Sequence, residues 1–112
     1  MKIREALSAK PFDPPARKEI EVDRNVRQVL RYLIEAGEVI ELSPDVVLSR
    51  ENFERMKSAV ADFISKDGPA TVSELRQKLR TSRRIMVPLL ERLDREGVTR
   101  RVGDKRMPGR IM

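Results

Sequence analysis

The chain contains no cysteine and no histidine. Disulfide frameworks, thiol nucleophiles and the common zinc sites are thereby excluded. Imidazole acid–base chemistry goes with them. Tryptophan is absent as well, and the aromatics number four: Phe12, Tyr32, Phe53 and Phe63. None of them falls in residues 73–112, which argues against a base-stacking platform there. The longest apolar run, Ile85 to Leu90, is six residues with Pro88 inside it, against the roughly 20 that a membrane span requires. The N-terminus has no apolar signal-peptide core. No Gly-rich phosphate loop, metal constellation or nucleophile–base pair occurs, and Asp62, Ser65 and Lys66 read as the polar end of a helix. These absences point to a chain without catalytic residues, metal or cofactor, residing in the cytoplasm.

What the chain does have is charge, unevenly placed. Over 112 residues it carries 24 Lys+Arg against 18 Asp+Glu, a net charge of +6. Residues 1–72 hold 12 basic and 13 acidic residues, a net of −1. Residues 73–112 hold the other 12 basic residues, ten of them Arg, against 5 acidic ones. The whole excess therefore lies in the last third of the chain. A local surplus of this size is the electrostatic footprint of a site for a polyanion. A disordered basic tail would also be positive, but here apolar residues are interleaved at helical and strand spacing as far as Val102.

Apolar periodicity predicts a mainly α fold with small β-hairpins. Ile3 and Leu7 start a short helix that stops before Pro11, and Pro11-Phe12-Asp13-Pro14-Pro15 forms a rigid connector. Ala16 to Glu21 gives a helical turn. Asp23 caps a helix running to about Ala36, in which Val26, Val29, Leu30, Leu33 and Ile34 form one buried face. Gly37 ends it. The strands Glu38–Leu42 and Val46–Leu48 flank the turn Ser43-Pro44-Asp45. Ser49 caps a helix to about Lys66 with Phe53, Met56, Val60, Phe63 and Ile64 inward, and Gly68-Pro69 stops it.

Thr71 and Glu74 have capping-box spacing and open a helix with Leu75 and Leu79 inward. Ser82 caps the next helix, which carries Met86, Leu89, Leu90 and Leu93 and ends at Gly97. Pro88 inside it removes one backbone bond, so a kink or a loosened first turn is expected. Val98–Val102 and Lys105–Met107 pair across Gly103-Asp104.

The order helix, short helix, longer helix, hairpin thus occurs twice, the plan of tandem winged helices. The expected modules are 1–48, near neutral and suited to spacing or protein contact, and 49–107, followed by a frayed 108–112. With almost no linker at Leu48-Ser49, a rigid tandem is expected.

Candidate binding residues gather in the second module. Arg83 and Arg84 open the third helix, where cations oppose the macrodipole, whereas the other capped helices have Asp23, Glu51 or Glu74 at their starts. A phosphate would satisfy both the guanidinium groups and the exposed N–H groups. Arg76 and Arg80 stand just before them on the preceding helix. The hairpin adds Arg100, Arg101, Lys105 and Arg106. Strand alternation sends Arg100 and Arg101 to opposite faces, and the sequence leaves open which of them shares the surface of the helix start.

The residues Thr81-Ser82-Arg83-Arg84, Pro88-Leu89-Leu90-Glu91, Leu93-Asp94 and Gly97-Val98-Thr99-Arg100-Arg101-Val102-Gly103-Asp104-Lys105-Arg106 resemble, in order and spacing, the last winged helix of bacterial selenocysteine-specific elongation factors. Residues 1–70 are similar, more loosely, to the preceding winged helix, through Pro11-Phe12 and the Leu-rich helix before Gly37. Arg84 stands where that family often has Lys, and Ile85 and Leu93 replace usual aromatics.

The resemblance implies binding of the selenocysteine insertion hairpin in mRNA, which tethers the factor beside a UGA codon. It implies RNA contacts from Ser82, Arg83, Arg84, Arg101 and the wing around Gly103, to which the placement of charge adds Arg76, Arg80, Lys105 and Arg106. The implied partners are the mRNA stem-loop, the GTPase part of the factor and the ribosome, with the chain a monomer away from membranes. Since no G-x-x-x-x-G-K-[ST] occurs, the chain reads as a C-terminal fragment. The competing reading is a DNA-binding winged-helix regulator. It is weakened because the cations crowd at the helix start and hairpin, and because no dimerisation helix is left over.

Overall fold

Asp23 is extended at φ −153° and its side chain accepts a hydrogen bond from the Val26 N–H at 2.9 Å, which starts the third helix of the chain. The computed structural model describes residues 2–110. In order these form α1 (Lys2–Ala9), α2 (Arg17–Ile20), α3 (Arg24–Glu35), β1 (Val39–Ser43), β2 (Val46–Ser49), α4 (Arg50–Asp67), β3 (Ala70–Thr71), α5 (Val72–Leu79), α6 (Arg83–Glu96), β4 (Thr99–Val102) and β5 (Lys105–Pro108). The chain divides into two compact units between Glu54 and Arg55. The division falls inside α4, because that helix runs without interruption from Arg50.

In the first unit the apolar faces of α1 and α3 close over the hairpin. Ile3, Leu7, Ile20, Leu30, Leu33, Val39 and Val47 form a buried cluster, with Ala6, Val26, Val29 and Ile34 against it. The strands β1 and β2 pair antiparallel, with an irregularity between Glu41 and Ser43 that lets Leu42 turn inward. The Asn52 side chain donates to the Leu7 carbonyl at 3.2 Å, which ties the exit of α1 to the start of α4.

In the second unit Met56, Val60, Ile64, Leu75, Ile85, Met86, Leu89, Leu90 and Leu93 are buried. Phe63, expected inward, is half-buried. The capping box is present: Thr71 Oγ1 accepts from the Glu74 N–H at 3.1 Å, and the Glu74 carboxylate accepts from the Thr71 N–H at 3.0 Å. The wing is larger than a hairpin. Ala70 and Thr71 add a short edge strand opposite Arg106 and Lys105, giving the order β3-β5-β4. Two residues after Pro69, the second of them the cap of α5, carry no strand periodicity, so β3 has no signature in the sequence.

The last strand also reaches further than expected. Pro108 is part of β5, and the Gly109 N–H donates to the Val98 carbonyl at 3.0 Å. A Cβ at Gly109 would stand 2.2 Å from the Gly97 carbonyl oxygen, so only glycine allows this approach. The remainder of the expected frayed tail, residues 111–112, lies outside the described residues. The helix α6 is continuous through Pro88. Among the described residues no helix is long and apolar enough to cross a membrane.

Candidate nucleic-acid interface

The sharp turn between α5 and α6 concentrates the cations. The Thr81 N–H reaches back to the Arg76 carbonyl at 3.0 Å and the Arg80 N–H to Gln77 at 3.3 Å, the double bond that closes a helix on a left-handed residue. Gly37 and Gly97 fill the equivalent place after α3 and α6, each at φ +81°. After α5 the place is held by Arg80 at φ +55°, the only non-glycine with positive φ among the described residues. A side chain in that region costs roughly 1–2 kcal/mol. The strain is local, and it holds an exposed guanidinium three residues before Arg83.

Thr81 is buried beneath this turn, and Ser82 takes the N-cap place with extended backbone. Its carbonyl accepts the N–H groups of Ile85 and Met86 at 3.2 and 2.9 Å. The side chain of Ser82, expected to cap, makes no capping bond. The first turn of α6 has no acidic residue, whereas α4 has Glu51 and α5 has Glu74. Arg83 and Arg84 are both exposed. The Arg83 amide and guanidinium make no hydrogen bond or ion pair with the described residues. Arg76 is half-buried on α5, and Arg80 is exposed at the left-handed position that ends it.

The wing separates the residues assigned to it. Arg101 stands opposite Arg106, and Arg100 opposite Met107. Opposed residues of an antiparallel pair share a face. Thr99, Arg101 and Arg106 therefore share one face, and Arg100, Val102 and Lys105 the other. The first face is turned to α6: Thr99 Oγ1 donates to Asp94 at 2.6 Å, and Arg106 donates to both Asp94 carboxylate oxygens at 2.9–3.3 Å.

Arg106 is 5% exposed. Counted from sequence as an RNA contact, it forms a buried strut between wing and helix, because Asp94 accepts from the Nε and Nη2 edge of its guanidinium. The charge count sees the cation but not a partner twelve residues away on another element. Asp94 and Thr99 complete this strut, and the sequence reading assigned neither of them a role.

Arg101 is exposed near the tip, with its Nε donating to the Gly103 carbonyl at 3.1 Å. Gly103 turns the wing at φ +65°. Lys105 lies on the opposite face, where its charge acts on Glu74. Lys105 and Arg101 thus cannot serve one flat surface.

Two carboxylates are tuned by the same framework. The Thr71 backbone N–H and hydroxyl hold Glu74 below the ordinary glutamate value of 4.5, with the Lys105 charge adding to the effect. Burial pushes Glu96 up, but hydrogen bonds from Arg92 and Lys57 outweigh it, so it too is lowered from 4.5. A carboxyl whose folded pKa is depressed stabilises the fold above its unfolded pKa. That stability is lost as pH falls through the folded value. The melting temperature is accordingly expected to fall as the solution is acidified below 4.5. Glu96→Gln should flatten part of that fall in a thermal melt series, and an unchanged slope would show that Glu96 does not contribute.

Residues 62–107 match the family described as "Elongation factor SelB, winged helix". A selenocysteine-specific elongation factor of Desulfomicrobium baculatum is 29% identical over 83 residues, which cover 74% of this chain and 13% of that protein. The chain thus spans about an eighth of that relative. Two solved structures share the fold. The mRNA-binding domain of elongation factor SelB from E. coli, in complex with SECIS RNA, superposes with a TM-score of 0.70 at 21% identity, over 96% of each chain. A bacterial selenocysteine-specific elongation factor superposes with a TM-score of 0.75 at 21% identity, over 97% of this chain and 18% of the other. Winged helices are therefore the architecture, and residues 62–107 resemble a winged helix of elongation factor SelB.

Proposed function

We propose that this chain is the part of a selenocysteine-specific elongation factor that binds the selenocysteine insertion hairpin in mRNA, and so tethers the factor for recoding of UGA. The observation that carries the reading is that Arg80, Arg83 and Arg84 are all exposed within five residues, at an α6 start with no acidic residue in its first turn. Guanidinium groups match phosphate oxygens in pairs, and the amides of a helix start add donors. The match of residues 62–107 to the SelB winged helix supports the assignment.

In this account Arg83, Arg84 and Arg80 hold phosphates of the hairpin, Arg76 assists from α5, Ser82 reaches a loop base, and Arg101 and Gly103 bring the wing tip to the RNA. Lys105, on the other wing face, acts at longer range. The chain itself performs no catalytic step. GTP hydrolysis belongs to the remainder of the factor, and the complex works beside the ribosome in the cytoplasm, with this chain monomeric.

A DNA-reading winged helix is the alternative, since a helix fits the major groove of B-form DNA. It would need polar or basic side chains along α6. Arg92 is held by Glu96 at 2.6 Å, which leaves Arg95 as the one deeper cation without an ion pair among the described residues. The deep, narrow major groove of A-form RNA excludes a helix, so a cluster at the helix start suits an RNA loop better. A gel shift comparing an insertion hairpin with a DNA duplex of equal length tests the two. Tighter binding of the hairpin is expected, with affinity falling steeply as salt rises. Preference for the duplex would overturn the RNA reading.

A further inference from the structure

The arginines of the first unit fall into two groups. Arg4 pairs with Glu38 at 2.8 Å, Arg17 pairs with Glu41 and Glu21, and Arg50 donates to the Gly37 carbonyl at 3.4 Å. Arg24, Arg27 and Arg31, all on α3, make no ion pair or side-chain hydrogen bond with the described residues. They are exposed, and with Gln28 they alone line an open recess on the outer face of the helix.

At 3.6 residues per turn these positions fall on one side of α3, opposite the stripe of Val26, Val29, Leu30 and Leu33 that enters the core. The rise along the axis is about 4.5 Å from Arg24 to Arg27 and about 6 Å on to Arg31. One carboxylate, Glu35, lies on the helix, at its last residue. Tyr32, beside Gln28 on the rim of the row, is 67% exposed.

From this arrangement we infer that α3 is a second RNA-binding surface, which follows the phosphate backbone of a structured RNA and stacks Tyr32 on an unpaired base. It is independent of the cluster on α6 and stands whether or not that cluster binds a hairpin. Three guanidinium groups without carboxylate partners make a charge row that a polyphosphate backbone satisfies directly. A protein partner fits less well, since the centres of protein interfaces are depleted of charge and this row has no apolar centre. Duplex DNA offers no splayed base to Tyr32, whereas structured RNA does. The near-neutral total charge of residues 1–72 conceals the row, because the unit's acidic residues lie outside α3 or at its two ends, Asp23 as its cap and Glu35 as its last residue.

The test uses the full chain carrying R83A/R84A, so that binding through α6 is weakened. A fluorescently labelled RNA stem with one unpaired bulge is titrated by anisotropy against this variant, and against the same variant with R24A/R27A/R31A added. The three further substitutions are expected to weaken binding about tenfold or more and to lower the slope of log K against log salt by about 2. Tyr32→Ala is expected to abolish any preference for the bulged over the fully paired stem. The Arg positions are exposed, so circular dichroism melts should coincide, and R24K/R27K/R31K keeps the charge if they do not. Equal RNA binding with and without the row would overturn the inference. So would tighter binding of a matched DNA duplex or of polyglutamate.

Discussion

Asp94→Ala is expected to destabilise the second unit by about 3 kcal/mol, the lower end of the range for removing one partner of a buried ion pair. The Arg106 side chain is 7% exposed and that of Asp94 26%. Removal of the carboxylate strands a guanidinium where water reaches it poorly. It also leaves the Thr99 hydroxyl, in a residue 2% exposed, without its acceptor. The consequence should be local first: amide exchange across β4 and β5 should accelerate before that of α4, because the wing loses its strut while the apolar core stays filled. Urea unfolding read by that exchange measures both effects. The double variant Asp94→Leu with Arg106→Met should recover most of the loss, since a well-packed apolar pair often replaces a buried ion pair at no cost. A loss below about 1 kcal/mol for Asp94→Ala, the scale of a solvated surface pair, would show that the strut does not hold the wing.

That strut marks where sequence reading reaches its limit. Asp23, Thr71 and Glu74 act through partners three residues away, so the caps and helix boundaries they set were legible. The apolar stripes of α3 and α6 were legible for the same reason, since their period belongs to a single element. The structural part of Arg106 was not legible because its partner lies on another element, and only the folded register places it opposite Arg101 and over Asp94. The edge strand β3 is too short to show alternation, and Gly109 looked like the start of a loose end until its approach to Gly97 was visible. The candidate cluster falls between these cases. Its charge was evident from composition, while the left-handed turn at Arg80 that presents it was not.

Arg83→Ala is expected to weaken binding of an insertion hairpin by about 1–3 kcal/mol, or roughly 5- to 150-fold. Arg83 is exposed at the first position of α6 and its side chain makes no ion pair or hydrogen bond with the described residues, so its removal should cost the fold little. The loss should therefore appear in affinity with the melting temperature unchanged, which separates it from Arg106→Ala, where stability fails first. The salt slope should fall by about 1, the signature of one lost phosphate contact. Arg83→Lys should keep the slope but recover only part of the affinity, because an ammonium replaces a charge without replacing paired donors. Lys18→Ala serves as the reference: an exposed cation on α2 of the first unit, outside both arginine groups, it should leave hairpin affinity nearly unchanged. If both alanine variants weakened the hairpin equally, the RNA would be responding to total charge, and the start of α6 would have no special part in holding it.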